Sequence, residues 1–438
     1  MIRKIDKNLI EWKNDCKRKP LLIRGARQIG KTYSVRNLSE TFDSFLEVNF
    51  EENTNVKKLF DDSLTPALIC EKLSAYYNKE IIPGKTLLFF DEIQNCPKAI
   101  SSLRFFYEKM PNLHLIATGS LLEFAFEQIP SMGVGRIKSL FMFPLSFNEF
   151  LTALNENLLL NIIRKNIKFV QGSPIEEPLH KKAINLYKTF QLIGGLPEVV
   201  DSYISERNLN KCFEILDNLL ITFKDDFAKY KNKVNVSRLT EVFNSAAIQA
   251  GGKFKYSKID YSASSNSLKD SLNLLEKAGI IYKITHSSAN GIPLGAEINN
   301  KKFKVILFDT GLHQRMLGID ISKYIAIDNF ETINKGAMAE IFSGLEILKN
   351  SNRNILKKLY YWHREARSSN AEVDYVIQSG EEIIPVEVKA GKTGSLKSLH
   401  QFMDSHKSKT GIKISLDNYC KNNNIISVPL YAIAEILK

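Results

Sequence analysis

The chain is short of cysteine, of long apolar runs and of any block of one charge sign. Its five cysteines (Cys16, Cys70, Cys96, Cys212 and Cys420) are odd in number, scattered, and form no C-x-x-C pair. That excludes a disulfide framework or a cysteine zinc site and leaves buried free thiols as the expectation. No stretch of about 18 apolar residues occurs, so no membrane-spanning helix is expected. The opening MIRKIDKNLIEWKND lacks the apolar core of a secretory signal, and its Ile2, Ile5, Leu9, Ile10 and Trp12 fall at amphipathic-helix spacing. The expectation is a cytoplasmic protein with no membrane contact. Lys and Arg number 60 against 48 Asp and Glu, a formal +12, but the excess is spread along the chain with no basic tail. Charge alone therefore identifies no partner. With 25% charged and 44% hydrophobic residues the composition is that of a globular protein. At roughly 100–200 residues per domain, its 438 residues imply two to four domains.

What is present begins with PLLIRGARQIGKTYSVRNL. Leu21 to Ile23 is a short apolar run that predicts a buried strand. Gly25, Ala26, Arg27, Gln28, Ile29, Gly30, Lys31 and Thr32 follow as G-x-x-x-x-G-K-T, and a helical pattern comes next. Strand, glycine loop and helix in that order are the context of a phosphate-binding loop. Glycines let successive backbone N–H groups turn toward phosphate, and the helix N-terminus adds partial positive charge. Lys31 is placed to reach the β- and γ-phosphates of ATP, and Thr32 to ligate Mg²⁺. About 60 residues on, KTLLFFDEIQ gives a second strand over Leu87 to Phe90, ending in Asp91 and Glu92. Asp91 falls near the Thr32-bound Mg²⁺, and Glu92 is placed to polarise the attacking water as a general base. A third strand, Leu115 to Ala117 in HLIATGSLL, ends in Thr118, Gly119 and Ser120. A hydroxyl there serves either the γ-phosphate or turn formation. Three such units predict an open parallel sheet with its site at the carboxyl rim.

In GARQIGKT, FFDEIQ, IATGS and GRIKSLFMFPLSFNEFL the chain resembles a prokaryotic branch of the AAA+ ATPases. The resemblance implies a γ-phosphate sensor at Thr118 or Ser120. It also implies an arginine supplied by a neighbouring copy in a homo-oligomer, for which Arg136 is the candidate here. Arg27 is a further basic group in the loop itself. PLSFNEFL then opens a helical region, with Ser146 and Glu149 spaced as a capping box. FQLIGGLPEVV is similar to the G-G-x-P-E-V turn that closes the helical lid in the same branch, and no second sensor arginine sits in it.

Residues 236–308 read as helix, short helix, helix and hairpin, the order of a winged helix. Exposed Asn266, Lys269 and Lys277, with Lys301 and Lys302 in the wing, would then contact DNA. Acidic Asp270 and Glu276 on the same helix favour a connector instead.

Farther on, EVDYVIQSGEEIIPVEVKAG reads as two strands about the turn QSGEE. Asp374 lies on the first strand, and Glu387 and Lys389 lie on one face of the second. Upstream, helical KGAMAEIFSGLEIL offers Glu340. Three carboxylates make a hard oxygen site suited to Mg²⁺ or Mn²⁺, and an adjacent lysine helps activate water toward a phosphodiester. The pattern resembles the PD-(D/E)XK nuclease superfamily, with Val373 where proline is usual. The competing reading is salt bridges on an edge hairpin.

From about residue 18 to 430 the chain looks like the prokaryotic AAA+ family that carries a C-terminal nuclease-like domain of unknown function. The fold expected is a multidomain α/β protein. Residues 1–145 form a P-loop parallel-sheet ATPase core, 146–232 a helical lid and 233–310 a winged-helix-like module. Residues 311–438 form a restriction-endonuclease-like α/β domain. The function expected is Mg²⁺-dependent ATP binding and hydrolysis, with DNA or RNA as a partner of the C-terminal domain. The alternative is a nucleotide-gated scaffold or DNA-binding regulator whose C-terminal domain does not cleave.

Overall fold

A computed structural model of the chain describes residues 1–120, 122–126, 133–168, 173–230, 234–260, 265–318, 335–364, 371–391 and 395–436. The expected boundary at 232/233 and the helix cap offered by Ser264 lie outside these residues. The chain forms two compact units. One is Met1–Phe143 with Asn352–Leu356, and the other Pro144–Ser351 with Lys357–Lys438.

The first unit is built on a parallel sheet of β1 (Leu21–Arg24), β2 (Ser44–Asn49), β3 (Thr86–Asp91), β4 (His114–Gly119) and β5 (Lys138–Phe141), in the order β2-β3-β4-β1-β5. Every residue of β3 and β4 is buried. Continuous apolar runs are what a parallel strand covered on both faces requires. Of these strands, β1, β3 and β4 are the ones expected from sequence, and each extends slightly beyond its apolar run. Phe90 anchors the end of β3, meeting Phe50 and Phe60 edge to face with centroids 5.6 and 5.8 Å away. Such pairs contribute about 0.5–1.5 kcal/mol each beyond area burial, which fixes the backbone that carries Asp91 next in the chain. The N-terminal helix Lys4–Asn14 buries Ile5, Leu9 and Trp12 and exposes Ile10, while Ile2, exposed as well, lies before it.

In the second unit, helix Phe147–Ala153 starts at Ser146. The Ser146 backbone N–H donates to Glu149 at 2.9 Å, and the Glu149 N–H donates back to Ser146 Oγ at 3.4 Å, closing the capping box. Helices Glu177–Ile193 and Pro197–Glu206 meet at the Gly194–Gly195 turn. Gly194 has φ +73°, and a Cβ there would lie 2.1 Å from Asp309 Oδ1. The fully buried Asp309 carboxylate accepts from the Gly195 N–H at 2.7 Å and from the Leu312 N–H at 3.1 Å. The glycine pair thus makes room for an acid that also caps the helix Thr310–Met316.

The second sheet comprises β6 (Ile281–Ser287), β7 (Ile298–Leu307), β8 (Leu359–His363), β9 (Glu372–Ser379), β10 (Glu382–Val388), β11 (Gly411–Ser415), β12 (Cys420–Asn422) and β13 (Ile425–Pro429). Its order is β12-β13-β11-β10-β9-β8-β6-β7. This corrects the expectation of a separate winged helix. Helices Val236–Ile248 and Ser265–Lys277 do precede a hairpin. However, β6 pairs in parallel with β8 at Ile284 opposite Leu359, so the hairpin is the edge of the C-terminal sheet rather than a free wing. Asn266, Lys269, Lys277 and Lys301 remain on exposed surface. Of the cysteines, Cys70, Cys96 and Cys212 are buried as expected, whereas Cys16 and Cys420 are exposed. Among the described residues, no helix is long and apolar enough to cross a membrane.

Candidate functional site

The strand order places β4 between β1 and β3, so the loop after β1 and the acids after β3 converge over the end of β4. Residues 25–30 form that loop and open the helix Lys31–Ser39. Its two glycines answer different needs. A Cβ on Gly25 would stand 2.3 Å from the Met142 carbonyl oxygen and 2.7 Å from Ile29 Cδ1. Gly30 caps the helix at φ +90°, in the left-handed region that side chains disfavour. Between them, Ala26 and Ile29 are buried and pin the loop, and Gln28 takes φ +61°. The Lys31 ammonium folds back onto the loop, donating to the Gly25 carbonyl at 3.0 Å and the Ala26 carbonyl at 2.7 Å. Burial pushes Lys31 down to about 8, against the pull of Glu92 and Asp91.

Asp91 sits at the centre of the acid side. Its Oδ2 accepts from Thr32 Oγ1 at 2.9 Å, and its Oδ1 accepts from the Glu92 N–H at 3.0 Å and from Thr118 Oγ1. Glu92 adopts φ +49°, a left-handed conformation rare for a non-glycine and most common where function holds it. Gln94 Nε2 donates to Glu92 Oε2 and so orients the carboxylate. Arg27 Nε donates to Ser120 Oγ at 3.1 Å. The two hydroxyls at the tip of β4 therefore divide: Thr118 serves Asp91, and Ser120 serves Arg27. Thr32 and Asp91 present adjacent hard oxygens, the donor set that suits Mg²⁺. Arg136 is half-exposed and paired with Glu108, so as an arginine acting on a neighbouring copy it would first have to leave that partner. Gln94 is a site residue the motif reading missed, and only its position two residues past Glu92 marks it.

In the second unit, Asp374 on β9 accepts from the Val388 N–H of β10 at 2.8 Å. Just past β10, Lys389 Nζ lies 2.6 Å from Glu387 Oε1, on the face that period-two geometry gives both residues. Glu340 projects from helix Lys335–Lys349 toward the same strands. The expectation that Glu340, Asp374 and Glu387 enclose a metal requires correction. Lys304 of β7 is almost fully buried, and its Nζ lies 2.7 Å from Glu340, 2.7 Å from Glu372 and 3.9 Å from Asp374. Among the described residues, no group of three or more His, Cys, Asp or Glu is arranged to hold a metal ion. The cation among these acids is one the chain itself supplies, so the donor set as built does not fit Mg²⁺ or Mn²⁺. Burial alone would lower Lys304, yet Glu340, Asp374 and Glu372 hold it above the ordinary lysine range. Burial, and Asp374 after it, push Glu387 up to about 7. Neither Lys304 nor Glu372 was singled out from sequence. Glu372 was within reach, because it lies two residues before Asp374 and so on the same strand face.

Residues 17–151 match the family of an AAA domain. Residues 184–323 and 335–433 each match a domain of unknown function, DUF8612 and DUF4143. An uncharacterized protein of Haemophilus influenzae is 23% identical over 386 residues, covering 84% of this chain and 81% of that protein. Among solved structures the chain is similar to a Signal Transduction ATPase with Numerous Domains bearing a tetratricopeptide repeat sensor, from Pyrococcus horikoshii. That match has 12% identity and a TM-score of 0.27, and covers 81% of this chain and 46% of the other. It is also similar to PCH-2 of C. elegans, with 14% identity and a TM-score of 0.24, covering 50% of this chain and 61% of that one. The chain thus spans less than two thirds of either solved chain. At those TM-scores the likeness transfers no structural detail. The AAA domain match and the P-loop agree on an AAA-type nucleotide-binding unit.

Proposed function

We propose that the first unit binds and hydrolyses ATP with Mg²⁺. The observation that carries this reading is the network in which Thr32, Glu92 and Thr118 all donate to Asp91, opposite a loop whose carbonyls hold the Lys31 ammonium. Lys31 exchanges those neutral acceptors for β- and γ-phosphate oxygens. Thr32 and Asp91 would hold Mg²⁺, which would offset the charge of the phosphates. Glu92, oriented by Gln94, holds the attacking water and takes its proton as the water oxygen bonds to the γ-phosphorus. The bond to the bridging oxygen then breaks and ADP leaves. Thr118 keeps Asp91 oriented. A partner copy's Arg136 completes the charge compensation. A Lys31→Ala protein that binds ATP as tightly as wild type would refute the cradle, and undiminished turnover in Glu92→Gln would refute the base. Mixing chains tests the arginine: Glu92→Gln subunits should restore turnover to Arg136→Ala subunits.

The same reading makes the second unit a nuclease-like domain that associates with DNA or RNA. Support comes from a mixed sheet in which Asp374, Glu387 and Lys389 meet between β9 and β10. Fluorescence anisotropy on single- and double-stranded DNA and RNA tests it. Binding should weaken with rising salt as phosphate contacts release counterions, and absence of binding at low salt would sink it.

A further inference from the structure

The carboxylates of the second unit are arranged as if about a cation, and the cation is a side chain. Glu340 comes from a helix, Glu372 and Asp374 from β9, and Lys304 from β7. Its Nζ touches the first two carboxylates at 2.7 Å each and lies 5.3 Å from the centroid of the Tyr361 ring. Several outlying oxygens are also committed. Glu372 meets Lys253 at 3.4 Å, Asp374 accepts from the Val388 N–H, and Glu387 Oε1 takes Lys389. Glu387 Oε2 is a buried oxygen without a partner, and burial, with Asp374 beside it, opposes its ionisation.

A divalent ion needs several oxygens within about 2.0–2.6 Å. Lys304 stands where those oxygens converge, and two cations a few ångströms apart in a buried site repel strongly. We propose that Lys304 is a built-in cation in the place of a divalent ion. As it stands, the site then neither takes Mg²⁺ or Mn²⁺ nor supports metal-dependent cleavage. Removing the ammonium opens a divalent-cation site on Glu340, Glu372 and Asp374, with Glu387 Oε2 as a further donor. This inference rests on the nuclease-like reading of the unit and refines it to a domain that holds nucleic acid without cutting it.

Counting Mn²⁺ by equilibrium dialysis on the nucleotide-free full chain tests it. Wild type and Asp374→Asn should bind equal numbers of ions, and Lys304→Met should bind one more per chain. That extra ion should vanish in Lys304→Met/Asp374→Asn. The P-loop background is common to all variants and cancels. A wild-type count that drops by one ion in Asp374→Asn overturns the proposal, as does a folded Lys304→Met protein that gains none. Should Lys304→Met fail to fold, Lys304→Gln, which is neutral but can still donate to a carboxylate, takes its place with all the proposed ligands kept. The wild-type comparison decides the first half of the claim on its own. ATP turnover of Lys304→Met should match wild type, so failure here is distinct from failure of the ATPase reading. Failure to bind nucleic acid leaves the ion counts unchanged and is read separately.

Discussion

Each unit buries a lysine beside acids at strand ends, and the two lysines are held in opposite ways. Lys31 rests on two carbonyl oxygens, which are dipoles without net charge. Lys304 rests on carboxylates. Burial penalises both ammonium groups, but only the second has enough negative charge around it to offset the loss of water. Lys31 is therefore pushed down to about 8, whereas Lys304 is raised. A cation held by neutral acceptors gains when an anion arrives and is poised for phosphate. A cation already neutralised by its neighbours has nothing to gain from a ligand and serves as structure. On the proposed reading, the same residue type beside the same acid type is thus a binding group in one unit and a closed lock in the other.

The largest effect expected from breaking this contrast is on turnover. Lys31→Ala removes the charge that meets the β- and γ-phosphates and should lower kcat/KM for ATP by about 10²–10³-fold, read in a steady-state phosphate-release assay. Lys304→Ala should leave that rate unaltered.

Next is the pH dependence of stability, where the two lysines should differ in sign. Lys31 titrates near 8 when folded and at 10.5 when unfolded. Between those values the unfolded chain binds more protons, so stability rises with pH across that window. At about 1.4 kcal/mol per unit the rise approaches 3 kcal/mol. Urea unfolding of wild type minus Lys31→Met, from pH 8 to 10.5, should show that slope, and saturating ATP should flatten it by restoring the charged lysine. For Lys304, raised in the folded state, the stabilisation is complete below the unfolded lysine value and lost only above it. Any slope in wild type minus Lys304→Met from pH 8 to 10 then belongs to Glu340, which burial pushes up to about 8 and which loses its Lys304 partner in the variant. The absence of a slope for Lys31 would erase the distinction.

The asymmetry extends to what the sequence revealed. Lys31 stands in a contiguous motif whose strand, loop and helix are local, so the placement of Lys31, Thr32 and Asp91 together was legible. Strand β2 was not, because SFLEVN is only half-buried and Glu47 interrupts its apolar pattern. Lys304 was illegible for a deeper reason. In FKVILFD a lone lysine reads as the solvent face of a strand, and only the helix and strands that bring Glu340, Glu372 and Tyr361 over it bury it. Those surroundings depend on pairings between residues as distant as Ile284 and Leu359, which no local pattern encodes. The same pairing turned an expected wing into a sheet edge. The helix, turn and hairpin signals were local, and the partner of β6 was not.

The smallest effect expected concerns how Asp91 is held. Thr118→Val keeps the shape of the side chain and removes the hydroxyl that donates to Oδ1, leaving Thr32 Oγ1 and the Glu92 N–H on the same carboxylate. A hydrogen bond to a charged group is worth about 1.5–3 kcal/mol, so kcat should fall by roughly ten- to a hundredfold. ATP affinity should stay near wild type, because the loop and Lys31 are untouched. Thr118→Ser restores the donor and should recover most of the rate. A Thr118→Val protein that loses ATP affinity as Lys31→Ala does would place Thr118 on the nucleotide instead of on Asp91. The division of the β4 tip, one hydroxyl for Asp91 and one for Arg27, would then be wrong.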